Sequence, residues 1–253
     1  MLKVRIIPTL LYKDIGLVKG ISFNSWRRVD TVLPAIKVYN MREVDELILL
    51  DITATNQDRN PDYSSIIEFS KECFVPFTVG GGIKNLQQIK ELLRSGADKV
   101  AINSAAYKNI NLIKEASEMF GSQCVVASID AKKDGNGKYF CYSNSGTKFT
   151  GIEVSEWAKK LEQYGAGEIL ITSIEKDGTM QGYDLELIKL VTQNVDIPVI
   201  ASGGAGDYED FFEAISCGKA NAVAAASIYH FTEKTPKCAR AYLKSKGIPV
   251  RKI

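Results

Sequence analysis

The chain says one thing twice. Val75–Ile83 reads VPFTVGGGI and Ile197–Gly206 reads IPVIASGGAG, each a short β-rich apolar run that breaks into a glycine turn. Runs of that length and branching suit buried strands. The Gly-Gly turn lets backbone N–H groups come close to a ligand, as phosphate-cradling turns do. Aligning Gly81 with Gly203 sets an offset of 122 residues, and at that offset DELILLDI from Asp45 lies over GEILITSI from Gly167, with Glu46 on Glu168. ADKVAINSAA from Ala97 lies over ANAVAAASIY from Ala220 one residue later, and RIIPTLL matches VVASIDA loosely, with Leu11 over Asp130. Periodicity of this kind marks a chain assembled from repeated units. Four strand-like segments per half make eight, and eight strands interleaved with helices close into an α/β (β/α)8 barrel, the TIM barrel. We expect one such barrel over residues 1–253, its halves about 1–121 and 122–253. Both glycine turns then fall at strand C-termini, the face where such barrels place their chemistry.

The size, 253 residues, suits one barrel with no spare domain. A net charge of +2 argues against both nucleic acid and a membrane surface as partner. Apolar runs are only strand-length, so no transmembrane helix is predicted. The N-terminal MLKVRIIPTLLYKD lacks the apolar stretch and cleavage site of a signal peptide. The five cysteines are scattered and show no C-x-x-C spacing, which reads as reduced thiols in a cytoplasmic protein. His230 is the single histidine, which removes most zinc sites.

Along the chain, the strands are expected at Val4–Leu11, Leu47–Asp51, Phe77–Val79, Lys99–Asn103, Cys124–Ile129, Glu168–Thr172, Pro198–Ala201 and up to Ala226. Tyr12–Arg28 is expected as a long glycine-rich, basic loop, the length of a lid. Its Lys13, Lys19, Arg27 and Arg28 either reach an anionic substrate or form a solvated basic loop. Residues 131–150 read as an inserted β-hairpin. Asp51 and Asp130 end their strands on the active face. Ser104 and Ser227 each open a helix after a strand, where exposed N–H groups favour phosphate. A glycine turn plus such a serine in each half suggests a ligand with a phosphate at each end; the other possibility is that the twin glycines only record duplication.

LDITA, FTVGGGI, GADKVAINSAA, the VVASIDA stretch, GAGEILITSI with KDGT and GYD, and PVIASGGAG together resemble the cyclase subunit of imidazole glycerol phosphate synthase, over essentially the whole chain. The resemblance implies a barrel that takes ammonia from a glutaminase subunit in a heterodimer. It passes the ammonia through the barrel core to a bisphosphorylated ribonucleotide-derived substrate. The family's phosphate and substrate contacts fall on Lys19, Gly82, Asn103 and Ser104, and on Thr172, Asp177, Gly178, Ser202, Gly204, Ala226 and Ser227. Its ammonia gate falls on Arg5, Glu46, Lys99 and Glu168, and a glutaminase contact on Asp98. Those four charges also suit an ordinary ion-pair plug, since charges in a barrel floor must be mutually paired. No metal or organic cofactor is implied.

The departure lies at the chemistry. The family uses two aspartates as general acid and base, and two carboxylates facing one site can divide those roles. One is Asp130; the partner position is Leu11, and Thr9 stands at a family cysteine. Leucine carries no proton. LLYKD with GLVK, and VDELILLDI, are similar to a divergent branch linked to surface-polysaccharide genes. Its barrel is thought to feed ammonia to a separate sugar amidotransferase, which turns an acetamido into an acetamidino group. The resemblance thus implies an ammonia conduit specialised for that sugar chemistry, with an authentic histidine-pathway cyclase as the alternative. A scaffold subunit that no longer conducts ammonia stays open as a third reading.

Overall fold

The computed structural model describes residues 3–14 and 16–251. Eight parallel strands form a closed ring. β1 (Arg5–Lys13) is followed by the antiparallel pair β2 (Gly16–Ile21) and β3 (Asn24–Asp30). The ring continues with β4 (Leu47–Asp51), β5 (Phe77–Gly80), β6 (Lys99–Ile102) and β7 (Val125–Lys133). A second antiparallel pair follows, β8 (Tyr139–Ser143) and β9 (Lys148–Glu153), before β10 (Glu168–Ser173), β11 (Val199–Ser202) and β12 (Ala222–Ala225). Parallel pairing runs β12–β1–β4–β5–β6–β7–β10–β11–β12, so no barrel strand is left with an open edge. The (β/α)8 barrel expected from the repeat is the fold.

Helices join the ring strands, and several start where the sequence places a capping side chain. Asp62, Asn85, Asp184 and Asp207 accept backbone N–H bonds at the starts of Tyr63–Lys71, Leu86–Arg94, Leu185–Thr192 and Tyr208–Ser216. The two-residue alternation of the strands then divides the apolar side chains. Ile6, Leu10, Leu47, Leu49, Val79 and their neighbours pack outward against the helices. A separate cluster, Ile7, Ile48, Ala101, Val126, Leu170, Ile200, Ala222 and Ala224, lines the bore.

The same alternation writes a polarity gradient along the bore. On β1 the inward stripe reads Arg5, Ile7, Thr9, Leu11; on β7, Val126, Ser128, Asp130; on β10, Glu168, Leu170, Thr172. Charge lies at the floor, aliphatic carbon in the middle, and polar groups at the mouth.

One expectation is corrected. Tyr12–Arg28 is not an irregular loop: β2 and β3 fold back as a ribbon continuing from β1, with Leu11 opposite Val18 and Lys19 opposite Arg27. Its turn places Ser22 and Phe23 at φ of 48° and 61°, the geometry a tight two-residue hairpin turn demands, without the Asn or Gly that normally signals it. The hairpin expected within residues 131–150 is present, and runs on to Glu153.

Candidate functional site

A cavity opens at the C-terminal ends of the barrel strands. Its lining includes Leu11 of β1, Asp51 after β4, Gly81 and Gly82 after β5, Asn103 and Ser104 after β6, and Asp130 of β7. Thr172, Asp177 and Gly178 join from the β10 side, Ser202, Gly203 and Gly204 from β11, and Ala226 and Ser227 from β12. The expected phosphate and substrate residues are therefore brought together, and Lys19 of the β2–β3 hairpin reaches in to join them. Lys13, Arg27 and Arg28 are not among the lining residues.

Both glycine turns are sterically required. Gly81 has φ of 109°, and a Cβ there would lie 2.2 Å from the Asp51 carbonyl oxygen. Gly204 has φ of 114°, and its Cβ would lie 2.1 Å from the Gly182 carbonyl oxygen. Only a residue without a side chain fits either position. Close to the second turn, the Ser227 hydroxyl is buried with no partner among the described residues. Near the first, the Ser104 hydroxyl oxygen accepts from the Asn144 backbone N–H at 2.9 Å, which leaves its own proton free to donate.

Asp130 lies deep in this cavity. Asn103 Nδ2 donates to its Oδ2 at 2.9 Å. Burial pushes the Asp130 carboxyl up to about 7, and the Asp177 carboxylate pushes in the same direction, against the Asn103 hydrogen bond. Asp177 is paired with Lys19, Nζ to Oδ2 at 2.6 Å, both side chains nearly closed off from water. Burial raises the Asp177 carboxyl too, with Lys19 pulling the other way. Asp51 is fully engaged: Thr53 and Ala54 N–H groups and Arg59 Nη2 all bond its carboxylate. Leu11 lines the same cavity, almost buried, and offers no proton. Among the described residues, Asp130 is thus the one cavity carboxylate without a cationic partner.

At the opposite end, Arg5 Nη1 reaches Glu46 at 2.7 Å and Glu168 at 2.9 Å. Lys99 Nζ reaches Glu46 at 3.1 Å and Glu168 at 3.2 Å. Thr78 Oγ1 donates to the remaining face of Glu46 at 2.8 Å. Burial works against the Arg5 charge, but Glu168 and Glu46 more than offset it and raise its pKa. Two cations and two anions therefore close a ring across the bore. Asp98 lies outside it, exposed, its Oδ2 accepting from the Phe77 N–H at 2.8 Å.

Several lining residues had no place in the site expected from the sequence: Phe23, Trp26, Thr9, Ser128 and Ser145. For Thr9 and Ser128 the signal was present, since both share the inward stripe of Leu11 and Asp130. For Phe23 and Trp26 it was hidden by the expectation of a mobile loop.

A profile of the histidine biosynthesis protein family matches residues 5–235. The chain is 47% identical over 253 residues to the imidazole glycerol phosphate synthase subunit HisF of Endomicrobium trichonymphae, covering all of this chain and 97% of the relative. It is 47% identical over 251 residues to the protein of the same name from Natranaerobius thermophilus, covering 99% of this chain and all of the relative.

Proposed function

The chain belongs to the histidine biosynthesis protein family, among the cyclase subunits of imidazole glycerol phosphate synthase, and from that membership we propose that it admits ammonia at the barrel floor and spends it in the cavity at the mouth. The observation carrying this reading is the gradient along the bore. A ring of paired charges stands at one end, aliphatic walls follow, and a proton-holding carboxylate waits between two glycine turns. Ammonia is small and neutral, so an apolar bore passes it while excluding ions and holding back bulk water. Arg5, Glu46, Lys99 and Glu168 are the gate.

The cavity takes a bisphosphorylated ligand. Gly82, Asn103 and Ser104 serve one phosphate; Gly178, Gly204, Ala226 and Ser227 serve the other, with Lys19 supplying positive charge and Thr172 and Ser202 lining the space between. Ammonia comes from a glutaminase subunit docked on the floor. Met41, Phe74 and Met119, 76%, 78% and 57% exposed, support such a dock. Each lies at the C-terminal end of a helix or just past it, next to the strand entrances, and large exposed apolar side chains there invite a partner. Asp98 lies on the same face.

The relatives support one use of the ammonia, closure of an imidazole ring on a bisphosphorylated aminoimidazole carboxamide ribonucleotide, with Asp130 as the acid/base. At a pKa of about 7 it is protonated in a large fraction of molecules at neutral pH, the poise such a group needs. One observation favours a second use. Leu11 faces the same cavity, so the complementary carboxylate is missing. Delivery of ammonia to a separate sugar amidotransferase, forming an acetamidino group, would not require it.

An ammonium-driven assay with the purified chain separates the two. Under ring closure, the wild type forms imidazole glycerol phosphate and Asp130→Asn loses a factor of about 10²–10⁴. Under ammonia delivery, the wild type forms none and Leu11→Asp gains turnover.

A further inference from the structure

The β2–β3 hairpin is fastened over the mouth more firmly than a lid needs to be. Lys19 is locked on Asp177. The Ser22 N–H donates to the Asp177 carbonyl at 2.8 Å, and the Ser22 hydroxyl to the Glu175 carbonyl at 3.2 Å. The Arg27 guanidinium lies 3.6 Å above the Phe231 ring. Fixed in this way, the hairpin presents two aromatic side chains, Phe23 and Trp26, to the cavity. The indole of Trp26 lies across the bare backbone of Gly20: a Cβ on Gly20 would meet its ring at 2.8 Å. The Asn24 carbonyl oxygen would lie closer still, at 2.1 Å, so the absent side chain of Gly20 admits both the facing backbone and the ring of Trp26.

The polar groups of the cavity gather at the two glycine turns and around Asp130, whereas Leu11, Leu50, Ile52 and Trp26 make an apolar waist. A ligand with nothing but phosphates and hydroxyls would leave that waist wet. A planar ring between the phosphates would cover it, and a half-buried indole is the side chain best suited to lie against such a ring.

We propose that Trp26 is a specificity-determining contact, selecting bisphosphorylated ligands that carry a planar ring between their phosphates. The proposal rests on the two-phosphate reading of the cavity. Its contribution is to the ligand's body, leaving phosphate affinity to the turns.

Calorimetric titration of the full chain with two probes tests it: the bisphosphorylated aminoimidazole carboxamide ribonucleotide, and 1,10-decanediol bisphosphate, which has no ring. Trp26→Ala should weaken the ring-bearing probe about ten- to a hundredfold and the ringless one less than twofold, and Trp26→Phe should restore most of the loss. Equal weakening of both probes would mean that Trp26 only holds the hairpin down, and no weakening would mean that it touches no ligand; either overturns the proposal while leaving the cavity reading intact. Binding of neither probe to the wild type would overturn the cavity reading, and the Trp26 proposal with it.

Discussion

Floor and mouth of the barrel handle buried charge in opposite ways. At the floor, Arg5 and Lys99 each reach Glu46 and Glu168, so two cations meet two anions and nothing is left over. At the mouth, Asp130 has only the neutral amide of Asn103 and the unwelcome field of Asp177. Matched partners compensate the loss of water around a charge. A lone carboxylate compensates instead by keeping its proton. The floor can therefore stand as a self-compensated ring of paired side chains, while the mouth holds a group that still exchanges a proton near neutral pH. That difference suits one end to gating and the other to chemistry.

The sharpest way to break the comparison is to unbalance the floor. Glu46→Leu leaves two cations sharing Glu168 and strips Thr78 of its acceptor. Removing one partner of a buried pair typically costs about 3–5 kcal/mol, and the partial exposure of Arg5 pulls the expected loss toward the lower figure. Urea unfolding reads it directly. A loss under about 1 kcal/mol would mean that the ring is a wet surface cluster rather than a paired floor.

The mouth should answer a charge removal with the opposite sign. Folded Asp130 holds its proton up to about pH 7, whereas an ordinary aspartate releases it near 4. The stability this proton contributes is complete below about pH 4 and is lost as pH rises to 7. Asp130→Asn is indifferent to pH there. It should therefore gain on the wild type between pH 4 and 7 by roughly 2–4 kcal/mol, then run parallel to it. Urea midpoints at pH 4.5, 6 and 8 follow the gap. A gap that stays flat would make Asp130 an ordinary carboxylate, and one that narrows as pH rises would make it a paired one.

Much of this contrast was legible before any coordinates. The offset that puts Glu46 on Glu168 also puts the two glycine turns at corresponding strand ends, because strand and turn chemistry are local and repeat with the unit. Alternation along β1 already places Arg5, Thr9 and Leu11 on one face. The β2–β3 ribbon was not legible. Its strands, GLVKGI and NSWRRVD, show no clean alternation, and Ser22-Phe23 turns the chain in positive φ without glycine. With that ribbon missing, the 158-residue reach from Lys19 to Asp177 could not be foreseen. Nor could the placement of Trp26 over the cavity.

With that ion pair the mouth imitates the floor, as it does again where Arg59 meets Asp51. Lys19→Met should leave Asp177 buried without its cation, and the carboxyl, already raised by burial, should rise further. The missing stability is then small in acid, where Asp177 is neutral, and grows as pH rises through its titration, to about 1–3 kcal/mol at pH 8. A loss equal at pH 5 and pH 8 would assign the effect to lost packing of the lysine stem instead.

Two threonines bring the comparison down to single hydroxyls. Thr78 at the floor donates to Glu46 at 2.8 Å, a bond to a charged acceptor, and Thr78→Val should cost roughly 1.5–3 kcal/mol. Thr9, between Ile7 and Leu11 on the inward stripe of β1, buries its hydroxyl with no partner among the described residues. A hydroxyl stripped of water and given nothing in return is a net burden, and valine keeps its shape without it. Thr9→Val should therefore leave stability unchanged or raise it by up to about 1 kcal/mol. Should Thr9→Val cost as much as Thr78→Val, the Thr9 hydroxyl holds an ordered water at the head of the bore, where the aliphatic wall ends and the polar mouth begins.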